Sequence, residues 1–279
     1  METVTLPGGG TMPVLGFGTY KIPSADTQRA VETALEVGYR HLDTATMYRN
    51  EAGVGRAIAG AGLPRTDLFV TTKLDNIPRT PASVRSAFDA SLDALGLDAI
   101  DLYLIHWPMA RSTDIVATWE SVLALRDTGR VAEVGVSNFT LAHLYRIIDA
   151  TGVVPAVNQV EINPYLTQEP LRAAHARWGI TTQAWSPLAR GRVIGDPAVA
   201  AVAERIGATR SQVVLAWHRQ RGDVVMPKSV RRERMVENLA ADQVVLDDAA
   251  MATLSGLNAD EHSGSDPDQV ELGTRRSGA

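Results

Sequence analysis

LFVTTKLDNIPRTPASVRSAFDASLDALGLDAIDLYLIH, residues 68–106, decides how this chain folds. It opens on LFVTTK (68–73), an apolar and β-branched run of strand type. It continues into PASVRSAFDASLDALG (81–96), a helical pattern that ends in Gly96, the usual residue just past a helix C-terminus. It closes on a second strand-like run, AIDLYLIH (99–106). A strand, a helix and a strand at this spacing predict a right-handed crossover between parallel strands.

The alternation extends in both directions. Upstream lie VLGFGT (14–19), the helical TQRAVETALEVG (27–38) and YRHLDTA (39–45); downstream lie AEVGVSN (132–138), the helical TLAHLYRIIDATG (140–152), AVNQVEI (156–162), TTQAWS (181–186) and DVVMPKS (223–229). Eight strand candidates predict closure into a parallel (β/α)8 TIM barrel. TVTLP and TMPVLGFG, joined through Gly8, Gly9 and Gly10, predict an N-terminal β-hairpin cap. An open doubly wound sheet is the alternative, but no G-x-G-x-x-G follows a strand and opens a helix. A barrel of this type uses about 250 residues in one domain, so residues 1–279 read as one domain without a linker. The tail from Asn258 to Ala279, rich in Asp, Gly and Ser, reads as a disordered terminus or as a loop folded over one barrel mouth.

Composition narrows the function. There is no cysteine, which excludes disulfides, thiolate chemistry and cysteine metal sites and fits a reducing cytosol. A net charge of −5 lacks the basic field that a nucleic-acid partner requires. No run approaches the roughly 18 apolar residues of a membrane span, and METVTLPGGG lacks the layout of a signal peptide. The expectation is a soluble, cytoplasmic, monomeric protein with a small-molecule substrate. His41, His143, His175, His218 and His262 show no ligand spacing, so no metal site is expected.

In a parallel barrel the active site lies at the C-terminal ends of the strands. The second strand ends HLDTA and brings Asp43, with Tyr48 in the loop after it; the third brings Lys73 and the fourth His106. Each residue alone has an ordinary structural explanation. Together they have a chemical one. A free tyrosine, with pKa near 10, is a poor acid at neutral pH. A neighbouring ammonium favours the phenolate, and a carboxylate beside the lysine keeps the amine charged and in place. Asp43, Lys73 and Tyr48 thus read as a tuned acid, with His106 positioning a carbonyl oxygen.

Eight strings in order, LGFGT, HLDTATMYRNE, TTKL, DLYLIHWP, GVSNF, VNQVEINP, AWSPLARG and MPKSVRRERMVEN, resemble the signatures of the aldo-keto reductase superfamily from Leu15 to Asn238. The resemblance implies a barrel with extended NADPH across its mouth and a tetrad at Asp43, Tyr48, Lys73 and His106. It also implies cofactor contacts. Ser137, Asn138 and Gln159 would bond the nicotinamide carboxamide, and Trp185 would stack on its ring. Ser186 and Leu188 would meet the pyrophosphate. Lys228, Ser229 and Arg234 would hold the 2′-phosphate, with Glu237 and Asn238 near adenine and Gly18 and Thr19 lining the site. Tyr20, Met47, Trp107 and Phe139 flank these motifs as candidate walls of a substrate pocket, with core packing an equal reading for Phe139. Trp185 and Tyr20 replace a tyrosine and a tryptophan frequent in other members, and Ala132 replaces a basic residue. The segment after Trp185 is short. With SDPDQ in the tail, these features resemble the bacterial branch that includes 2,5-diketogluconate reductases.

Two other functions fit parts of the sequence. One is a nicotinamide-sensing binding module on the same fold. The other is a hydrolase that uses Asp43 and Glu161 as a carboxylate pair, which leaves the cluster from Lys228 to Asn238 without a role.

Overall fold

The computed structural model describes residues 2–77 and 79–272. Eight parallel strands form the barrel: β3 (Phe17–Gly18), β4 (His41–Asp43), β5 (Phe69–Leu74), β6 (Ile100–Ile105), β7 (Val131–Ser137), β8 (Val157–Glu161), β9 (Thr181–Trp185) and β10 (Val224–Met226). They pair in sequence order, and the bridge Leu15–Val225 brings the last strand back to the first. The first expected strand is shorter than VLGFGT suggests, with ladder pairing only at Phe17 and Gly18.

The crossovers are α1 (Ser24–Val37), α2 (Glu51–Gly60), α3 (Pro81–Leu95), α4 (Ile115–Arg126), α5 (Leu141–Thr151), α6 (Glu169–Trp178), α7 (Pro197–Ile206) and α8 (Arg210–Gln220), with α9 (Arg232–Leu239) and α10 (Asp248–Ser255) after the last strand. Local chemistry sets their ends. Helix α3 starts with Pro81 behind a Thr80–Ser83 capping box and stops at Gly96, whose φ of 63° suits a residue without Cβ. Asp114 caps α4 by accepting from the amides of Val116 and Ala117. Trp119 and Trp217 are fully buried in the main core, as helix–barrel packing predicts, while Trp178 is half-buried against it.

The two ends of the barrel differ. The antiparallel hairpin of β1 (Thr3–Thr5) and β2 (Thr11–Pro13) closes the end where the strands begin. Its Leu6 and Met12 pack with Phe69, Val157 and Val224, each at the start of a strand. The Gly8 amide donates to Glu133, near the start of β7. This seals one mouth and leaves the strands' C-terminal ends for chemistry.

Candidate active site

Those C-terminal ends bring the four predicted residues together. Asp43 is the last residue of β4, Lys73 lies next to last in β5 and His106 directly follows β6. Tyr48 ends a 3-10 turn, Thr46–Tyr48, on the loop after β4. The Thr46 hydroxyl ties that turn to β5 by donating to the Lys73 carbonyl at 3.2 Å. Lys73 is wholly buried, and its Nζ donates to Asp43 Oδ1 and Oδ2 at 2.9 and 2.7 Å and to the Thr44 carbonyl at 2.8 Å. A buried ammonium is tolerated on these terms, because its counter-charge and acceptors replace water. Lys73 Nζ stands 5.1 Å from the centre of the Tyr48 ring. That ring meets the His106 imidazole edge-on, with centroids 5.6 Å apart, and lies 5.2 Å from the Tyr20 ring.

A hydrogen-bonded wall runs from this cluster across β7, β8 and β9. Gln159 donates to Asp43 Oδ1 at 2.8 Å and to Gln183 Oε1 at 2.9 Å. The Ser137 hydroxyl donates to the Gln159 carbonyl at 2.7 Å. Asn138 takes a φ of 63°, a region asparagine tolerates better than most residues. Its Nδ2 donates to the His106 carbonyl at 2.9 Å and to Ser137 Oγ at 3.1 Å. Its Oδ1 accepts from the indole Nε1 of Trp185 at 2.8 Å. The half-buried Trp185 is therefore keyed to the strand ends through Asn138. Ser186 and Leu188, also half-buried, follow on the turn before a short 3-10 segment, Ala189–Gly195.

The far end of the mouth is built otherwise. After β10, Lys228 is exposed and Ser229 is buried, its hydroxyl accepting from the Arg231 amide at 3.1 Å as the chain turns into α9. Arg232 pairs with Glu36 at 2.8 Å. Lys228 and Arg234, both exposed, form no ion pair among the described residues. Glu237 accepts from the Thr209 hydroxyl at 2.6 Å and edges a cleft of about 590 Å³ with Ile194, Ala203, Ala208 and Arg210. Asn238 is buried on the same helix.

The profile of the aldo/keto reductase family matches residues 10–259. The chain belongs to the aldo/keto reductase family. An aldo-keto reductase of Mycolicibacterium smegmatis is 46% identical over 264 residues, 95% of this chain and 96% of its own. Among solved structures, a Gox0644 variant in complex with NADPH superposes with a TM-score of 0.92 at 40% identity, covering 97% of this chain and 98% of that one. The Bombyx mori aldo-keto reductase in complex with NADP gives 0.89 at 33% identity, with 95% of each chain covered.

Two of the predicted positions are fully buried in this aldo/keto reductase. Phe139, offered as a pocket wall, is fully buried in the main core against His143, so it packs the barrel wall and does not meet the mouth. Thr19 is also fully buried; its amide and hydroxyl both donate to the Asp43 carbonyl, which holds it against that strand end. Gly18 sits beside it, its amide donating to the Pro227 carbonyl at 3.1 Å. Tyr20, Met47 and Trp107 flank the tetrad, with Trp107 buried beneath the C-terminal tail.

The tail is where sequence reasoning stopped short. It folds over the mouth as far as Leu272; residues 273–279 lie outside the described residues. Val270 is buried with Trp107 and Met109. Glu271 accepts from the amide and Nε of Arg111, each at 3.2 Å, and from the Ser112 hydroxyl. Glu161, in sequence terms only half of a hydrolytic pair, accepts from the Ser263 amide at 2.8 Å, the Gly264 amide at 3.0 Å, the Ser263 hydroxyl and His262 Nδ1. Burial pushes the Glu161 carboxyl up, but these bonds outweigh it and hold it below the usual range; the bond to Glu161 raises His262. With Asp43 committed to Lys73 and Glu161 to the tail, the carboxylate-pair reading loses its support. No spacing rule links residues about a hundred positions apart.

Proposed function

We propose that this chain reduces a carbonyl group to an alcohol with NADPH, and that Tyr48 is the proton donor. The observation that carries this reading is the Lys73–Asp43 pair, buried with its ammonium 5.1 Å from the Tyr48 ring centre. A solvated strand-end lysine would be exposed. This one is buried as a charge beside a phenol, which favours the phenolate that remains once the proton has left. His106, edge-on to that ring, is the neighbouring group suited to orient the substrate oxygen.

The residues fit the cofactor that the relatives' structures hold. Ser137, Asn138 and Gln159 present amide and hydroxyl groups of the type that pair with a carboxamide, and the half-buried Trp185 offers a flat face for an aromatic ring. Ser186 and Leu188 follow Trp185 in the chain, ahead of Ile194 at the far cleft, and are assigned to the pyrophosphate. Lys228, Ser229 and Arg234 suit a 2′-phosphate at the start of α9, where helix amides favour an anion. Glu237 and Asn238 are assigned to the adenine end, beside the cleft that Glu237 edges. When bound, the nicotinamide supplies the hydride. The chain's own residues orient the two reactants, hold the carbonyl against Tyr48 and His106, and deliver the proton from the Tyr48 hydroxyl.

Small dicarbonyls, aldehydes and keto-sugars are the proposed substrates, on the short segment after Trp185 and the resemblance to the 2,5-diketogluconate reductase branch. A cytoplasmic, monomeric protein is the accompanying proposal, in keeping with a cysteine-free chain and no described helix long and apolar enough to cross a membrane. The test is steady-state NADPH oxidation over a panel of these carbonyls, ranked by kcat/KM. Turnover of at least one class is expected. Tight NADPH binding with no turnover of any would favour the sensing module.

A further inference from the structure

Trp185 is held at both ends. Its pyrrole side donates Nε1–H to Asn138 at 2.8 Å. Its other side is met by the tail: a Cβ built on Gly264 would fall 2.3 Å from Cη2 and 2.9 Å from Cζ3 of the indole. Real Cβ atoms do not approach that closely, so the Gly264 backbone lies flush against the six-membered ring, at a position only glycine can occupy without movement. The tail is pinned there by Glu161. That residue ends β8, pairs in register with Trp185 across the parallel ladder, and is almost fully buried. Its carboxylate receives two successive backbone amides, a hydroxyl and an imidazole from residues 262–264. Charge-assisted bonds of this kind are the stronger class.

Beyond Gly264 the chain reaches a second attachment, where Val270 fills the space beside Trp107 and Met109 and Glu271 is bound by Arg111 and Ser112 after β6. Residues 264–271 thus form a strap between the β8 and β6 sides of the mouth, and the Glu161 end is the one that touches Trp185.

We propose that Glu161 is a positioning residue for catalysis: by gripping Ser263 and Gly264 it seats the C-terminal strap against Trp185, fixing the indole and closing the substrate side of the mouth. It acts through Gly264 and Trp185. The inference rests on the reading of the mouth as a carbonyl-reduction site. Its structural half, the grip on the strap, is measurable without that reading.

The variants are Glu161→Gln, which keeps the shape but removes the charge and opposes two N–H donors with an amide, and Glu161→Asp, which keeps the charge on a shorter arm. Hydrogen exchange of the tail amides is measured in the intact protein without ligand, alongside kcat and KM for benzaldehyde with NADPH. Glu161→Gln should speed exchange at Ser263 and Gly264 at least tenfold and raise the KM for benzaldehyde roughly tenfold, while kcat falls no more than about threefold. Glu161→Asp should restore part of both. Gly264→Ala, whose added methyl would crowd the indole and also come 3.1 Å from Glu161 Oε2, should displace the strap with the carboxylate's charge retained and reproduce the KM effect. Unchanged exchange in Glu161→Gln would overturn the latch. Faster exchange with unchanged KM and kcat would overturn the positioning role. If the wild-type chain reduced no carbonyl, the exchange result would stand alone and the failure would belong to the carbonyl-reduction reading.

Discussion

The two ends of the mouth solve opposite problems. At the Tyr48 end, charge is internal: the Lys73 ammonium is wholly buried, neutralised by Asp43 and bonded to the Thr44 carbonyl, and Gln159 braces the Asp43 carboxylate. At the α9 end, charge is external: Lys228 and Arg234 are exposed and paired with no acid among the described residues, although Arg232 between them is taken by Glu36. The first arrangement is complete without a ligand, so folding energy maintains it. The second, on the proposed reading, takes its partner from a bound anion, so binding energy would complete it. Damage at the first end should therefore appear in turnover and stability, and damage at the second in affinity.

The largest effect should come from Tyr48→Phe. The ring and its packing against His106 and Tyr20 remain, and only the hydroxyl is lost. We expect kcat to fall about 10²–10⁴-fold, the usual contribution of general acid catalysis, with the Kd for NADPH almost unchanged. Single-turnover reduction measured beside NADPH titration separates the two; near-normal turnover would dissolve the contrast between the ends.

Lys73→Met comes next, because it strikes both activity and fold. It leaves the Asp43 carboxylate buried without its cation, and breaking such a pair costs about 3–5 kcal/mol. Denaturant unfolding should show that loss. Replacing both partners, Lys73→Met with Asp43→Leu, should recover part of the stability and none of the activity. Recovery of activity in the double variant would show that the charge pair serves the fold alone.

How far the sequence could foresee this contrast differs between the ends too. The barrel was legible because strand and helix periods alternate without interruption, and because residues at successive strand ends must share one mouth: Asp43, Lys73 and His106 follow from that rule alone. The short first strand was less so, since its ladder pairing is confined to Phe17 and Gly18 in a run otherwise held by two backbone bonds with Val225, made by Gly16 and Val14, and one from Gly18 to Pro227. Phe139 shows the limit for side chains. It adjoins Asn138, which faces the site, yet the chain turns at that point and sends the phenyl ring into the core. The grip of Glu161 on the tail was invisible because both partners are individually ordinary and meet only once the barrel has closed.

A smaller effect, and the one that tests the open end, is Arg234→Ala. One charged hydrogen bond contributes about 1.5–3 kcal/mol, so the Kd for NADPH should rise about tenfold or more while that for NADH stays nearly constant. The preference for NADPH should also shrink as salt rises, because exposed charges are screened over roughly 10 Å at 0.1 M salt. Equal weakening of both cofactors would mean that Arg234 supports α9 and does not read the phosphate.

The smallest effect belongs to the strap, which lies between the two regimes, with one buried partner and one partly exposed. His262 is raised above its ordinary 6.5 by its bond to Glu161, against the opposing effect of burial, and Asp266 and Asp260 add to the rise. Its contribution to the latch is therefore complete below about pH 6.5 and is lost as pH climbs through the raised value. Glu161 is held below its ordinary 4.5, so its contribution is present above that value and is lost only as pH falls through the depressed one. Between these limits, from about pH 4.5 to 6.5, the strap should be held most firmly. Above that window Glu161 still keeps the Ser263 and Gly264 amides, the ion pair of Arg192 with Glu261 stands nearby, and the imidazole is about one-third exposed and so partly screened. The loosening should accordingly be only a few-fold in the rate of proteolytic nicking between residues 259 and 272, followed from about pH 5 to pH 9. His262→Gln should flatten that rise and leave the nicking rate at high pH close to that of the wild type. An equally steep rise in the variant would assign the pH dependence to another group and leave the backbone amides as the whole of the grip on Glu161.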